Sequence, residues 1–169
     1  MEQTANTKKW RQTLGILGEQ IASDYLAEQG FQMLAQNYRA GRTGEIDLIA
    51  LKSDQFERKK LIIFAEVKTR LEEGPAHGLF QTGQMAIDLR KQKKIITTAL
   101  HFLAQAKVAG SKVYLPQVAG QRILQFDVLL INYQLSRNQI LALLFAGDLA
   151  TLRKHASVVH IAEAFGRFQ

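Results

Sequence analysis

The chain has 169 residues, 47% of them hydrophobic and 22% charged, with no cysteine and a net charge of +7 from 22 Lys and Arg against 15 Asp and Glu. This composition is typical of one globular domain and excludes a disordered chain, a coiled-coil rod, disulfides and thiolate metal sites. The positive charge attracts polyanions such as nucleic acid, although a generic basic surface that keeps the protein in solution is the alternative.

The first part of the chain predicts one helix followed by three strands. Apolar residues recur at three- and four-residue steps from Trp10 to Tyr25, which predicts an amphipathic helix over residues 10–29 that ends at Gly30. The polar residues before it are expected to fray. Alternation and β-branched residues predict strands at residues 31–39, 45–51 and 61–68, joined by a tight turn at 40–44 and a hairpin loop at 52–60.

The second part of the chain predicts a loop, a helix and further strands. A long loop is expected at residues 69–83, and a helix at 84–107 with an apolar face through Met85, Leu89, Ile96, Leu100 and Leu103. A buried strand is predicted at 123–131, another strand at 140–145 with a helix as the alternative, and a weakly helical tail at 158–168. The sequence therefore predicts a single mixed α/β domain over residues 1–169.

The second predicted strand carries charges where a buried strand should have none. Because side chains alternate along a strand, Glu45 and Asp47 are expected on one face and Ile46 and Leu48 on the other. The same period puts Glu66 and Lys68 together on one face of the third strand. If the two strands pair as a hairpin, Asp47 meets the Glu66 and Lys68 pair.

Buried charges of this kind need partners. Burial costs several kcal/mol for each group unless it is paired or holds a metal. Two carboxylates within reach of each other suit Mg²⁺, and a lysine beside them could orient or deprotonate an attacking water or stabilise charge on a phosphate. The alternative is a ladder of ion pairs at a strand end. Glu19, at the flank of the first helix, is either a third acid of this site or an ordinary boundary glutamate.

The second predicted helix carries a row of basic and polar residues. This row could bind the backbone phosphates of a nucleic acid, or it could simply be a face exposed to solvent. Its members, with two flanking lysines, are Arg90, Lys94, Thr97 and His101, and Lys91 and Lys93.

Two short runs at a specific spacing carry a resemblance to a known family. These are GEIDLIA at residues 44–50 and EVKTR at residues 66–70. Further positions that fit the same pattern are Gly18, Glu19, Ala22, Tyr25, Leu26, Gly30, Asn37, Tyr38, Arg39, Lys91, Ala99, Phe102, Leu103, Phe126, Asp127, Val128, His160, Ile161, Ala164 and Phe165. Over most of residues 10–132 and in the tail, the chain resembles the YraN-like family of uncharacterised bacterial proteins.

That family is grouped with the PD-(D/E)xK nuclease superfamily and looks like its Holliday-junction resolvase branch. The resemblance implies a restriction-endonuclease-like αβββαβ core, with a central mixed sheet flanked by helices, over about residues 10–132. Residues 134–169 form a C-terminal extension whose role the sequence leaves open. The resemblance also implies an active-site set in which Ile46 replaces the proline of the superfamily name. That set is Glu19, Asp47, Glu66 and Lys68.

The functional hypothesis is a metal-dependent endonuclease that hydrolyses phosphodiester bonds in DNA, with branched or structured DNA as a candidate substrate. Asp47 and Glu66 would bind Mg²⁺ or Mn²⁺, and nucleic acid would contact Arg90, Lys91 and Lys94. The alternative is a catalytically idle nucleic-acid-binding module that works with repair or RNA machinery. A cytoplasmic location without a membrane partner is expected, because no run of about 18 apolar residues and no signal peptide occur. By analogy with resolvases, a homodimer is expected.

Overall fold

The computed structural model describes residues 2–54, 59–71, 87–106, 115 and 121–166. Along the chain, the elements are α1 (Glu2–Glu28), β1 (Gln32–Arg39), β2 (Glu45–Asp54), β3 (Lys59–Leu71), α2 (Leu89–Gln105), β4 (Gln121–Tyr133), α3 (Arg137–Ala146), α4 (Leu149–Lys154) and β5 (Ala156–Ile161). The first six follow the αβββαβ order that the resemblance implies. No helix in the described ranges is long and apolar enough to cross a membrane.

The five strands form one mixed sheet in the order β1-β2-β3-β4-β5. The pairs β1–β2, β2–β3 and β4–β5 are antiparallel, whereas β3 and β4 are parallel. A parallel neighbour requires a crossover connection, and α2 lies within the one between β3 and β4. The predicted restriction-endonuclease-like α/β class, a central mixed sheet flanked by helices, is therefore confirmed.

Hydrophobic layers cover both faces of the sheet. On one face, α2 packs Ile95, Ala99 and Phe102 against sheet residues that include Phe64 and Phe126. On the other face, the buried side of α1 consists of Trp10, Leu14, Leu17, Ala22 and Leu26, which pack against residues of β2, β3 and β4. A sheet buried on both sides explains why β3 and β4 are nearly continuous apolar runs.

The predicted apolar face of α2 is wrong at two positions. Leu89 is 74% exposed and Leu100 is 49% exposed, while Ile95 and Ala99 are buried. Strongly apolar residues lie next to each other in this helix, Ile95 beside Ile96 and Phe102 beside Leu103, so the period alone allows more than one buried face. Packing of Phe102, whose ring meets the Phe64 ring edge-on at 6.2 Å, determines that face instead.

The boundaries of α2 and of the neighbouring strands also differ from the prediction. Helix α2 begins at Leu89 because the Asp88 side chain accepts a 2.8 Å hydrogen bond from the Lys91 N–H as an N-cap. Strands β2 and β3 extend further than residues 45–51 and 61–68. Most of the expected loop at 69–83 and the expected helix start at 84–86 lie outside the described residues.

The C-terminal part of the chain corrects two expectations. Residues 140–145 are helical, as the alternative interpretation had it, since Ser136 and Gln139 form a capping box and Gly147 ends α3 at φ 71°. The tail is not helical over Val158–Ile161 but belongs to β5, which pairs with β4 in an antiparallel register. The outer edge of β4 would otherwise expose unpaired backbone groups, and this requirement overrides the weak helical pattern.

Candidate active site

Glu66 is a buried carboxylate held by two lysines. It lies on β3 with 3% of its surface exposed. Its Oε1 accepts a 2.7 Å hydrogen bond from Lys68 Nζ, and its Oε2 lies 3.2 Å from Lys91 Nζ. The contact with Lys91 is an ion pair that lacks hydrogen-bond geometry. The buried Oε2 atom therefore has no hydrogen-bond partner. The two ammonium groups offset the desolvation of Glu66 and link β3 to the first turn of α2.

Asp47 lies where β2 and β3 part. The last pair of the two strands at this end is Leu48 with Ala65, and beyond it Asp47 Oδ2 accepts a 2.7 Å hydrogen bond from the Val67 N–H. The pKa of Asp47 is raised from 3.8 to about 7, first by burial and then by the negative charges of Glu66 and, more weakly, Glu19. The Val67 N–H and the Lys91 charge act in the opposite direction. The pairing of β2 with β3 therefore places Asp47 near enough to Glu66 for their charges to interact.

The strand is irregular at Asp47, which corrects the expected alternation. Ile46 packs in the layer that contains α2, whereas Leu48 packs in the layer that contains α1. A regular two-residue period would place both on one face. Asn37 stands opposite Asp47, since its neighbours Gln36 and Tyr38 pair with Leu48 and Ile46. Asn37 has a φ of 50°. The backbone therefore departs from regular strand geometry in β1 at Asn37 as well as in β2 at Asp47.

Asn37 is a site residue for which the sequence analysis predicted no role. Its Nδ2 donates a 2.9 Å hydrogen bond to Glu19 Oε2, which ties α1 to β1. Asparagine tolerates a left-handed backbone better than most residues. Asn37 therefore adopts the positive φ in β1 and also donates the hydrogen bond to Glu19. An Asn in the middle of a strand, where Asn is disfavoured, was the available signal.

Gly18 brings Glu19 to the sheet. A Cβ atom at this position would collide with Thr69 Oγ1 of β3, so any larger residue here would require the Thr69 side chain to move. Gly15 shows no such contact, since nothing lies within 4 Å of a Cβ built there. Of the two glycines in this part of α1, only Gly18 is therefore a close-packing point.

The acids at this end of the sheet have the chemistry of a hard-cation site. Carboxylate oxygens are preferred ligands of Mg²⁺, and a divalent cation would relieve the repulsion that raises the pKa of Asp47. Within the described ranges, no three His, Cys, Asp or Glu residues are grouped closely enough to form a complete metal cluster. The donor set of Asp47 and Glu66 therefore fits a cation such as Mg²⁺, which retains waters and takes further oxygens from a substrate phosphate.

The basic row of α2 begins beside the acids. Arg90 and Lys94 are exposed, as expected, whereas Lys91 turns toward Glu66. The helix contains no Asp or Glu. Cations near a helix N-terminus oppose the helix dipole, and like charges three and four residues apart repel each other. Helix stability therefore does not explain this row. The exposed residues of this row, counting the flanking Lys93, are Arg90, Lys93, Lys94, Thr97 and His101.

Asp127 is a second buried acid with a structural role. It accepts hydrogen bonds from Gln125 Nε2 at 2.8 Å and from the Glu163 N–H at 3.0 Å, and its Oδ2 lies 2.8 Å from His160 Nε2. These contacts fasten β5 and the turn after it to β4.

Comparison with known proteins places the chain in a family. The model of the uncharacterised protein family UPF0102 matches residues 18–131, a range that includes all seven predicted site residues. The chain belongs to this family, the YraN family. A UPF0102 protein of Treponema denticola is 33% identical over 155 residues, which cover 91% of this chain and 95% of that protein.

Other relatives match over shorter segments. A UPF0102 protein of Trichlorobacter lovleyi is 40% identical over 59% of this chain and 70% of its own length. A UPF0102 protein of Synechococcus is 40% identical over 56% of this chain, and the match covers 63% of that relative. No solved structure matches this chain significantly.

Proposed function

We propose that this UPF0102 protein is a metal-dependent endonuclease that hydrolyses phosphodiester bonds in DNA, with branched or structured DNA among its substrates. The observation that carries the proposal is the buried Glu66, held by Lys68 and Lys91, beside an Asp47 whose pKa is raised to about 7. Clustered acids of this kind are costly to bury, and perturbed carboxylates concentrate at functional sites. The exposed cations of α2 lie next to them and would hold the backbone of the substrate.

Each residue of the site has a role in this chemistry. Asp47 and Glu66 would hold Mg²⁺ or Mn²⁺, with Glu19 assisting from α1 through its link to Asn37. Such a cation, when bound, supplies positive charge at the phosphate and lowers the pKa of water. In the reaction, a water oxygen attacks phosphorus, the bond to the departing sugar oxygen breaks, and that oxygen takes up a proton. Lys68, fixed by its 2.7 Å hydrogen bond to Glu66, would stabilise the negative charge that develops on the phosphate.

The second candidate function is a nucleic-acid-binding module without cleavage, working with repair or RNA machinery. The observation in its favour is that lysine ammonium groups contact both oxygens of Glu66. In that case, the charges would only join β3 to α2, and the basic row would bind phosphates. The two candidates agree on nucleic acid and differ on hydrolysis.

A cleavage assay separates the two candidates. The protein is incubated with linear, nicked, flapped and four-way DNA in the presence of Mg²⁺ or Mn²⁺. We expect metal-dependent cleavage of at least one substrate and its loss in Asp47→Ala. The matched control is Glu45→Gln, which removes an exposed acid of the same strand that pairs with Arg39. Binding of all substrates without cleavage of any would overturn the endonuclease proposal and leave the binding module.

A further inference from the structure

We propose that Lys91 alternates between Glu66 and a substrate phosphate, so that a divalent cation and the Lys91 ammonium compete for the same carboxylate. This inference rests on the proposed function, since it assumes that Asp47 and Glu66 bind a cation. It adds that cation binding releases Lys91 to the nucleic acid. Lys91 would thereby couple the loading of the cation to the binding of the substrate.

The competition follows from the charge around Glu66. Its carboxylate is almost fully buried and already contacts two ammonium groups, at 2.7 Å from Lys68 and 3.2 Å from Lys91. A divalent cation on the same carboxylate would place two further positive charges beside these ammonium groups. At such distances, in a partly buried site that screens charge less than bulk water does, these like charges repel each other strongly. One ammonium group must therefore withdraw when a cation binds Glu66.

Lys91 is the lysine that would withdraw. Lys68 donates a well-formed hydrogen bond to Oε1, whereas the contact of Lys91 with Oε2 is longer and lacks hydrogen-bond geometry. Lys91 also lies in the first turn of α2, between the exposed Arg90 and the exposed Lys93 and Lys94. An ammonium group that leaves Glu66 therefore joins a cationic row, where a phosphate is the favourable partner.

Thermodynamic linkage makes this exchange reciprocal. If the cation frees Lys91 for a phosphate, then a phosphate that attracts Lys91 frees Glu66 for the cation, by the same factor in affinity. Arg90 and Lys94 are exposed, and the ion pairs of Glu66 are with Lys68 and Lys91 instead. The contribution of Arg90 and Lys94 to nucleic-acid affinity is therefore independent of the cation, whereas that of Lys91 requires it.

Calorimetry without nucleic acid is the first arm of the test. Mg²⁺, and separately Ca²⁺, is titrated into the wild-type protein, Lys91→Met and the control Lys93→Met, which removes an exposed lysine of the same helix. We expect Lys91→Met to bind the cation about tenfold more tightly, equivalent to about 1.4 kcal/mol, because a competing charge is gone. Lys93→Met should bind like the wild type. Unchanged or weaker cation binding by Lys91→Met would overturn the inference.

Binding of a short duplex DNA, with Ca²⁺ and without any divalent cation, is the second arm. A gel checks that the DNA stays intact. The salt dependence of binding by Lys91→Met should be shallower than that of the wild type by about one unit with Ca²⁺, and equal to it without Ca²⁺. Ca²⁺ also competes with the protein for DNA phosphates. Because the wild type and Lys91→Met are compared at the same Ca²⁺ concentration, this competition affects both equally. A Lys91 contribution that is the same in both conditions would overturn the inference.

Folding and the proposed function are controlled separately. If Lys91→Met does not fold, Lys91→Gln replaces it, and Lys91→Arg, which keeps the charge, should retain the cation-dependent salt slope. A wild-type protein that binds no cation overturns the proposed function and this inference together. A wild-type protein that binds the cation, with Lys91→Met unchanged, overturns the inference alone.

Discussion

Asp47 accepts a 2.7 Å hydrogen bond from the backbone N–H of Val67 just beyond the last residue pair of β2 and β3. The carboxylate thus takes the place of a strand carbonyl and pairs the Val67 N–H where the strands separate. The same separation positions Asp47 beside Glu66. The hydrogen bond favours ionised Asp47, whereas burial and the neighbouring acids oppose ionisation and dominate.

The first prediction concerns stability and pH. The pKa of Asp47 is about 7 in the folded protein against an ordinary value of 3.8, so the folded state holds this proton more tightly than the unfolded chain. The stability that Asp47 contributes is therefore fully present below about pH 4 and is lost as the pH rises through about 7. Asp47→Asn should raise the free energy of unfolding at about pH 8 by about 2 kcal/mol, and by less at about pH 5.

Chemical unfolding in the presence of a chelator measures this effect. Glu45→Gln is the control, because Glu45 is an exposed acid on the same strand. If Asp47→Asn is no more stable than the wild type at the higher pH, the carboxylate is not under electrostatic strain.

The second prediction concerns Lys68. Its ammonium group is held by Glu66 at 2.7 Å and would stabilise the charge that develops during hydrolysis. Lys68→Ala should lower the cleavage rate by a factor on the order of 10² or more, as does the loss of one preorganised electrostatic group. DNA affinity should stay within a few-fold of the wild type. Single-turnover kinetics measure the rate, and Lys52→Ala, at an exposed lysine of β2, is the control.

The outcome for Lys68→Ala also bears on the binding module. A module without cleavage has no rate to lose, and the substitution would then change affinity alone. Equal cleavage rates for Lys68→Ala and the wild type would exclude Lys68 from the chemistry.

The third prediction concerns the exposed row of α2. Arg90 and Lys94 are both exposed and have no acid in their helix. If they contact phosphates, replacing both with alanine should reduce the log–log salt slope of DNA binding by about 1 to 2. Arg137→Ala with Lys154→Ala removes the same charge from exposed positions on α3 and α4. A slope that falls equally in both double variants would indicate a diffuse basic surface instead of a footprint on α2.

The fourth prediction separates the two contributions of Asn37. Asn37→Gly keeps a residue suited to a φ of 50° but removes the donor to Glu19, whereas Asn37→Ala removes the donor and strains the backbone. Asn37→Ala should be less stable than Asn37→Gly by about 1 kcal/mol. Both should weaken Mg²⁺ binding by about 10-fold, since the loss of an outer hydrogen-bond partner of a metal site typically costs about that much or more.

Chemical unfolding and calorimetry on the same samples test this prediction. Gln36→Ala, at the exposed neighbour of Asn37 whose side chain bonds Ser23, is the control. Mg²⁺ binding by Asn37→Gly that matches the wild type would limit Asn37 to a backbone role.

The core elements could be predicted from local patterns in the sequence. The spacing of Trp10, Leu14 and Leu17 marks the buried side of α1, and the apolar runs mark β3 and β4. These segments are long, and burial selects the same residues that the local period does. The strand in the tail could not be predicted in this way. Strand β5 forms because it pairs with the edge of β4 and because Asp127 contacts His160. That requirement is tertiary and leaves only a weak trace in the local sequence.

For the candidate site, the sequence by itself indicated which charged residues of β2 and β3 come together, since hairpin pairing aligns Asp47 with Glu66 and the two-residue period of β3 puts Lys68 on the same face as Glu66. Only the tertiary structure decided that Lys91 contacts Glu66 and that Asn37 holds Glu19. Both contacts join elements whose relative rotation no local period specifies. Helix α2 turns Lys91 inward because Phe102 and Ile95 fill the core, and α1 reaches β1 because Gly18 allows a close approach to β3. Such distances depend on packing between layers, and packing is a property of the whole fold.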